Sequence, residues 1–309
     1  MRTLVIGYGS IGMRHTEVLS NLGCTVSIVS KRKLNIERCY LNIKEAIDEE
    51  EPEYIIIATK THEHISRLIE IKQLGFKGPI LIEKPLSNNF ENIPEGVFNN
   101  VFVAYNLRFN PLIHRLFEEI KGEYIISAQA YVGQYLPSWR PNRDYRKTYS
   151  SKKVEGGGVL RDLSHELDIM NWLLGGWSQI TAIGGHFSKL EIDSDDVFGL
   201  MLEMKKCLIS TVQLNYLDRA SRRDIIINTN NHVFRVDLIK NIFQKDSDEF
   251  PFEFDTNYSY RMQHKAIMDN NDFYLCNFES GKDVMSLIDA AEKSAYSENN
   301  IWIKNEKNL

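Results

Sequence analysis

Cysteine is scarce in this chain, and its four residues, Cys24, Cys39, Cys207 and Cys276, form no CxxC pair. That spacing excludes a disulfide framework and a thiolate zinc site and fits a reducing cytoplasm. No HExxH is present, and His62 and His64 have no third ligand at a recognisable spacing, so no catalytic metal is expected. Nor does any serine or cysteine stand in a nucleophile motif, which leaves acyl transfer unsupported. An excess of positive charge is also missing: 37 lysines and arginines against 42 aspartates and glutamates give a net charge of −5, which argues against a nucleic-acid partner. The stretch 169–188 lacks Asp, Glu, Lys and Arg, yet Asn171, two Gly-Gly pairs and His186 interrupt it, so no membrane span is expected. The apolar run before Gly7 is too short for a signal peptide and has no small-residue cleavage site. A cytoplasmic location is the expectation.

What is present describes a folded chain long enough for two domains: 309 residues, 43% hydrophobic and 26% charged. The first third alternates short apolar runs (3–6, 25–29, 54–58, 80–82 and 101–104) with amphipathic helical patterns (11–22, 42–50 and 64–74). Such alternation predicts an α/β, doubly wound Rossmann sheet, assigned here to residues 1–120. From 121 to 309 the order changes to a strand over 124–131, a basic aromatic loop, one long helix over 158–174, and strands over 197–204, 207–216, 224–228 and 232–238. Lys205-Lys206 reads as a hairpin turn. A last helix over 283–297 carries Val284, Leu287, Ile288 and Ala291 on one stripe. This is the pattern of an α+β domain with an open, mostly antiparallel sheet, expected to bind substrate and to form a homodimer or homotetramer through the sheet's open face.

Gly7-Tyr8-Gly9-Ser10-Ile11-Gly12 follows the first strand and opens the first helix, the context in which a dinucleotide pyrophosphate binds. Gly7 permits the turn, Gly9 admits phosphate to the backbone, and Gly12 allows close helix packing, while Ser10 and Ile11 begin the helix whose N terminus attracts the anion. An acidic residue at the end of the second strand would select NAD(H) through the ribose 2′-hydroxyl. Ser30, Lys31, Arg32 and Lys33 stand there instead. A hydroxyl and cations suit a 2′-phosphate, so NADP(H) is favoured, with NAD(H) possible.

Two further segments carry a family resemblance. Glu83-Lys84-Pro85-Leu86 follows the strand at 80–82, and Gly156-Gly157-Gly158-Val159-Leu160-Arg161-Asp162-Leu163-Ser164-His165-Glu166-Leu167-Asp168 opens the long helix. With the glycine motif, His15, Asn106 to Pro111, and Trp172 to Gly175, the chain resembles the glucose-fructose oxidoreductase and inositol dehydrogenase (Gfo/Idh/MocA) family over nearly its whole length. The resemblance implies an N-terminal Rossmann domain, a C-terminal domain with an open sheet, and hydride transfer to or from a sugar or cyclitol carbon. It also implies Lys84 as the catalytic lysine, Asp162 and His165 as the acid/base pair that contacts substrate, and Thr59, His64, Glu83 and Lys84 beside the cofactor. The types suit the reaction: an alkoxide left by hydride transfer needs a cation and a proton donor. The family places its histidine four residues after the aspartate; here His165 is three after Asp162, and Glu166 stands at four. Either His165 or Glu166 is therefore open as the residue facing substrate.

Substrate class is suggested by residues 139–147, where Arg140, Arg143 and Arg146 recur every third position among Trp139 and Tyr145. Cations beside aromatics suit an anionic or nucleotide-linked sugar. Similar short family members suggest bacterial surface-carbohydrate biosynthesis. Two other functions fit the same motifs: redox-neutral sugar epimerisation or glycoside cleavage with a recycled cofactor, and a non-catalytic NADP-binding regulatory protein.

Overall fold

The computed structural model describes residues 1–32, 34–96 and 98–305. The chain divides into two compact units, Met1–Phe109 with Asp255–Lys282, and Asn110–Phe254 with the remainder from Asp283.

In the first unit the apolar runs become β1 (Arg2–Ile6), β2 (Thr25–Val29), β3 (Cys39–Tyr40), β4 (Tyr54–Ile57), β5 (Ile80–Ile82) and β6 (Val101–Val103). Between them lie α1 (Ser10–Asn21), α2 (Ile43–Glu50) and α3 (His64–Gln73). These strands are parallel and run β6-β5-β4-β1-β2-β3 across the sheet, the order of a doubly wound dinucleotide fold. Every residue of β4 and β5 is buried, as a sheet covered on both faces requires. Asn42 caps α2 by accepting the Glu45 N–H at 2.8 Å.

The second unit begins with α4 (Pro111–Glu119), capped by Asn110 with proline at its first position. There follow β7 (Ile125–Gly133), α5 (Val159–Asp162), α6 (Ser164–Leu173), β8 (Trp177–Gly185), β9 (Val197–Met204), β10 (Cys207–Asn215), β11 (Arg222–Thr229), β12 (Val233–Asp237), β13 (Ile242–Lys245) and β14 (Asp248–Pro251). The Lys205-Lys206 turn joins β9 to β10 as expected, with Met204 opposite Cys207. The chain then forms α7 (Tyr258–Met268), β15 (Cys276–Asn277), α8 (Phe278–Tyr296) and β16 (Ile303–Lys304). Among the described residues the second sheet has nine strands, ordered β14-β13-β12-β11-β7-β10-β9-β8-β16, and is antiparallel except at the β7–β10 pairing. Along β8, β9 and β10 buried Ala182, Leu200 and Val212 alternate with exposed Ile183, Met201 and Ile209, so the sheet has one packed and one open face.

Three differences from the sequence expectations have physical causes. The units divide after Phe109 rather than at 120, and residues 255–282 return to the first unit, because Ile267 and Leu275 complete the core formed by Val5, Leu19, Tyr54, Ile56, Leu81 and Phe109. The single helix expected over 158–174 is interrupted: Leu163 leaves helical geometry (φ −102°, ψ 26°) and separates α5 from α6. Finally, α8 starts five residues earlier than expected, at Phe278 rather than 283, since the Asn277 side chain accepts the Ser280 N–H at 2.8 Å and caps it.

Candidate active site

The carboxyl ends of the parallel strands gather the cofactor candidates. Gly7 N–H donates to the Val29 carbonyl at 2.9 Å, tying the start of the loop to the end of β2. A Cβ on Gly12 would lie 2.0 Å from the Gly7 carbonyl oxygen, so α1 can begin this close to β1 only with glycine there. A Cβ on Gly9 would meet nothing within 4 Å. The loop is thus packed against the fold at Gly7 and Gly12 and open at Gly9. Among the described residues no side chain caps the N terminus of α1, and no acidic residue occupies its first turn, which leaves Ser10 and Ile11 at a helix end suited to an anion.

At the end of β2, Ser30 is buried and its Oγ accepts the Arg32 N–H at 3.1 Å, while the Arg32 guanidinium donates to the Tyr8 carbonyl of the glycine loop at 3.2 Å. Lys31 is exposed and Lys33 lies outside the described residues. After β4, the Thr59 hydroxyl oxygen is buried without a hydrogen-bond partner among the described residues, an orphaned polar atom that a bound cofactor would satisfy. His64 is buried against two carbonyls, with Nδ1 2.9 Å from Pro85 O and Nε2 3.3 Å from Thr59 O. Burial lowers its pKa, so it stays neutral, and its single N–H can donate to one of the two carbonyls, the shorter contact being to Pro85. These features fit a dinucleotide: an open glycine loop, an uncapped helix N terminus and an unsatisfied hydroxyl. Glu83, expected beside the cofactor, turns inward, with Oε1 2.8 Å from His15 Nε2 and Oε2 accepting the Lys84 N–H at 3.2 Å.

In the second unit, Asp162 ends α5 and is buried. The Tyr216 hydroxyl donates to its Oδ2 at 2.6 Å, and the Tyr149 hydroxyl bonds to the same carboxylate. The charge of Asp162, with burial second, pushes the Tyr149 pKa up; burial, with that charge second, does the same for Tyr216. Both phenols therefore remain protonated donors. Arg140 acts on Tyr149 electrostatically and has no carboxylate partner among the described residues. Asp195 anchors the start of α5, its carbonyl accepting the Val159 N–H and its Oδ2 the Leu160 N–H, both at 3.0 Å. Burial raises its pKa to about 6.

The interruption at Leu163 means that Asp162 and His165 do not share a continuous helix, so the three-residue spacing carries no helical-face argument. The two alternatives at that spacing also differ in environment. Glu166 is fully buried and both of its oxygens are taken by Arg223, at 2.5 and 3.1 Å, whereas His165 is only partly buried. Among the loop arginines, Arg146 is held by Asp144 at 2.8 Å and Glu191 at 3.3 Å, and the Tyr145 hydroxyl accepts the Glu191 N–H at 3.3 Å. Arg143 is exposed. Sequence reasoning missed Tyr149, Tyr216 and Arg223; no spacing rule marks them, because each reaches its carboxylate across the second unit's own tertiary fold.

The glycine loop and strand order define a dinucleotide-binding α/β protein. The profile described as "Oxidoreductase family, NAD-binding Rossmann fold" matches residues 1–97, and the "GFO/IDH/MocA C-terminal domain" matches residues 124–234. The chain belongs to the Gfo/Idh/MocA family of oxidoreductases. Among curated relatives it is 25% identical, over 68% of its length, to an uncharacterized oxidoreductase of Streptococcus pneumoniae, and 23% identical, over 57%, to the myo-inositol 2-dehydrogenase of Thermotoga maritima. The matched segments span 60% and 55% of those relatives. Among solved structures the fold is similar to levoglucosan dehydrogenase in complex with NADH (TM-score 0.82, 17% identity, 98% of each chain). It is similar as well to the WlbA dehydrogenase of Bordetella pertussis in complex with NADH and UDP-GlcNAcA (TM-score 0.79, 18% identity, 98% of each chain). Among the described residues no helix is long and apolar enough to cross a membrane.

Proposed function

We propose that the chain is an NAD(P)-dependent sugar dehydrogenase or reductase that transfers hydride at a CH–OH carbon. The observation that carries this reading is the convergence at the carboxyl ends of β1, β2, β4 and β5 of the open glycine loop, Ser30, the unsatisfied Thr59 hydroxyl and the Lys84 segment. A bound nicotinamide would supply or take the hydride. Lys84 stabilises the oxygen on which negative charge develops, and His165 carries the proton. Asp162 receives two tyrosine donors and serves as a fixed carboxylate that orients substrate. Glu166, bound on both oxygens by Arg223, is a scaffold residue in this reading.

NADP(H) is the preferred cofactor. Residues 30–32 carry no carboxylate to repel a 2′-phosphate, and Arg32 lies against the glycine loop through Tyr8. The substrate is a sugar derivative with an anionic or nucleotide-linked group, and a place in surface-carbohydrate synthesis suits such a compound. Arg140, without a carboxylate partner among the described residues and electrostatically linked to Tyr149, is the first candidate to receive the anion. Arg143 is a second, while Arg146 and Tyr145 shape the loop through Asp144 and Glu191. Exposed Ile183, Met201 and Ile209 on the open sheet face support a homodimer or homotetramer, measurable by light scattering.

The test is a screen of cyclitols, neutral sugars and UDP-linked uronic acids for substrate-dependent change in NADPH or NADH absorbance, run beside Lys84→Met. Turnover by the native chain and its loss in a variant that still binds nucleotide support the assignment. Equal turnover by both proteins contradicts the role of Lys84.

A further inference from the structure

A buried hydrogen-bonded chain ends on the Lys84 backbone, and the residues at its far end belong to no motif. Tyr54 lies in β4, His264 in α7 and His15 in α1, and all three side chains are fully buried in the first unit. The Tyr54 hydroxyl is 2.9 Å from His264 Nδ1, His264 Nε2 is 2.8 Å from His15 Nδ1, and His15 Nε2 is 2.8 Å from Glu83 Oε1. The other Glu83 oxygen accepts the Lys84 N–H at 3.2 Å.

The acceptor at the end fixes the proton nearest to it: a Glu83 carboxylate can only accept, so His15 carries hydrogen on Nε2. Where His15 Nδ1 is bare, His264 donates to it from Nε2 and accepts from the Tyr54 hydroxyl at Nδ1; where His15 Nδ1 carries hydrogen, His264 accepts at Nε2 and donates from Nδ1 to the Tyr54 oxygen. In both arrangements His264 is neutral and every ring nitrogen of the chain is used. Burial, together with the neighbouring His15, holds the His264 pKa well below the usual histidine range, in keeping with a neutral ring. A satisfied buried network of this kind resists displacement of any member.

We infer that His264 and Tyr54 are positioning residues for Lys84: through His15 they fix the Glu83 carboxylate, and Glu83 fixes the peptide from which the Lys84 side chain departs. The functional meaning of this rests on the reading of Lys84 as the catalytic lysine. The coupling itself is a property of the fold and is testable without substrate.

The experiment is competitive acetylation of the full-length protein by acetic anhydride from about pH 7 to about pH 11, which spans the ordinary lysine range. Peptide mass spectrometry reads the Lys84 rate relative to exposed Lys205 in the β9–β10 turn. His264→Phe keeps an aromatic ring and removes both hydrogen bonds, whereas His264→Gln retains an amide donor toward His15. The His264→Phe profile of Lys84 is expected to change by about threefold or more, equivalent to half a unit in its pKa. His264→Gln is expected to restore most of the native profile. An unchanged Lys84 profile in a folded His264→Phe protein overturns the inference and leaves the chain of bonds as a core contact only. Should that variant fail to fold, Tyr54→Phe removes one hydroxyl from the far end and carries the same test: a changed profile supports the relay and an identical one overturns it. A Lys84→Met protein that retains turnover would instead refute the catalytic role of Lys84, leaving the labelling result standing.

Discussion

Two glycines of one loop should fail in opposite ways when each becomes alanine. Gly9 has extended backbone (φ −81°, ψ −169°) that alanine adopts without strain, and its added Cβ would meet no atom within 4 Å. Gly9→Ala should therefore leave the thermal midpoint within about 1–2 °C of native, as an unstrained surface change costs about 0.5 kcal/mol or less. Its methyl group does enter the space where a pyrophosphate would approach, so NADH and NADPH affinity should fall by about tenfold or more, or about 1.4 kcal/mol. Gly12→Ala places its Cβ 2.0 Å from the Gly7 carbonyl oxygen, a backbone atom that moves only if the turn or α1 moves. Overpacking of this kind costs about 1–3 kcal/mol, and at about 2–4 °C per kcal/mol the midpoint should fall by several degrees without any nucleotide present. Differential scanning fluorimetry of the nucleotide-free proteins reads the first quantity and reduced-nicotinamide fluorescence the second. A Gly9→Ala protein that binds both nucleotides like the native chain would refute the placement of the phosphates.

The remaining predictions concern charge. Because burial raises Asp195 from 3.8 to about 6, the folded chain holds that proton more tightly than the unfolded one, and this site's contribution to stability is lost as pH rises from about 4 through 6. Relative to native protein, Asp195→Asn should therefore gain about 2 kcal/mol between pH 4 and pH 7 in urea denaturation, and a difference constant with pH would refute it. Arg161 and Glu292 form a largely buried bidentate pair at 2.7 and 2.9 Å, so Glu292→Gln should cost about 3–5 kcal/mol by stranding the guanidinium; a loss under about 1 kcal/mol would show that water reaches it. Ser30→Asp should reverse the preference for NADPH over NADH, and unchanged affinities for both would remove the 2′-phosphate argument.

Local patterns were legible in the sequence where local physics sets them. The apolar runs at 3–6, 25–29, 54–58 and 80–82 become β1, β2, β4 and β5 because a doubly covered parallel strand has to be apolar throughout. The glycine motif, the Lys205-Lys206 turn and the strands that became β7, β9, β10, β11 and β12 were likewise readable, whereas β13, β14 and β16 were not. What could not be read depends on contacts distant in sequence. Ile267 and Leu275 carry no sign that they complete a core built around Val5 and Tyr54, so the return of residues 255–282 was missed. The interruption at Leu163 falls in a run with good helical periodicity, and Asp195, far along the chain, holds the short helix before it. The spacing left His165 and Glu166 both open; full burial of Glu166 and its pairing with Arg223, from β11, set their environments apart.

The central claim is that this Gfo/Idh/MocA chain seats a nicotinamide dinucleotide on the loop Gly7 to Gly12 with Lys84 at hand for hydride chemistry. Titration of cofactor-stripped protein with NADPH and with NADH, followed by reduced-nicotinamide fluorescence, tests it most directly. The account predicts saturable binding of both, tighter for NADPH, and retention of that binding in Lys84→Met. Absence of binding by either nucleotide would contradict it.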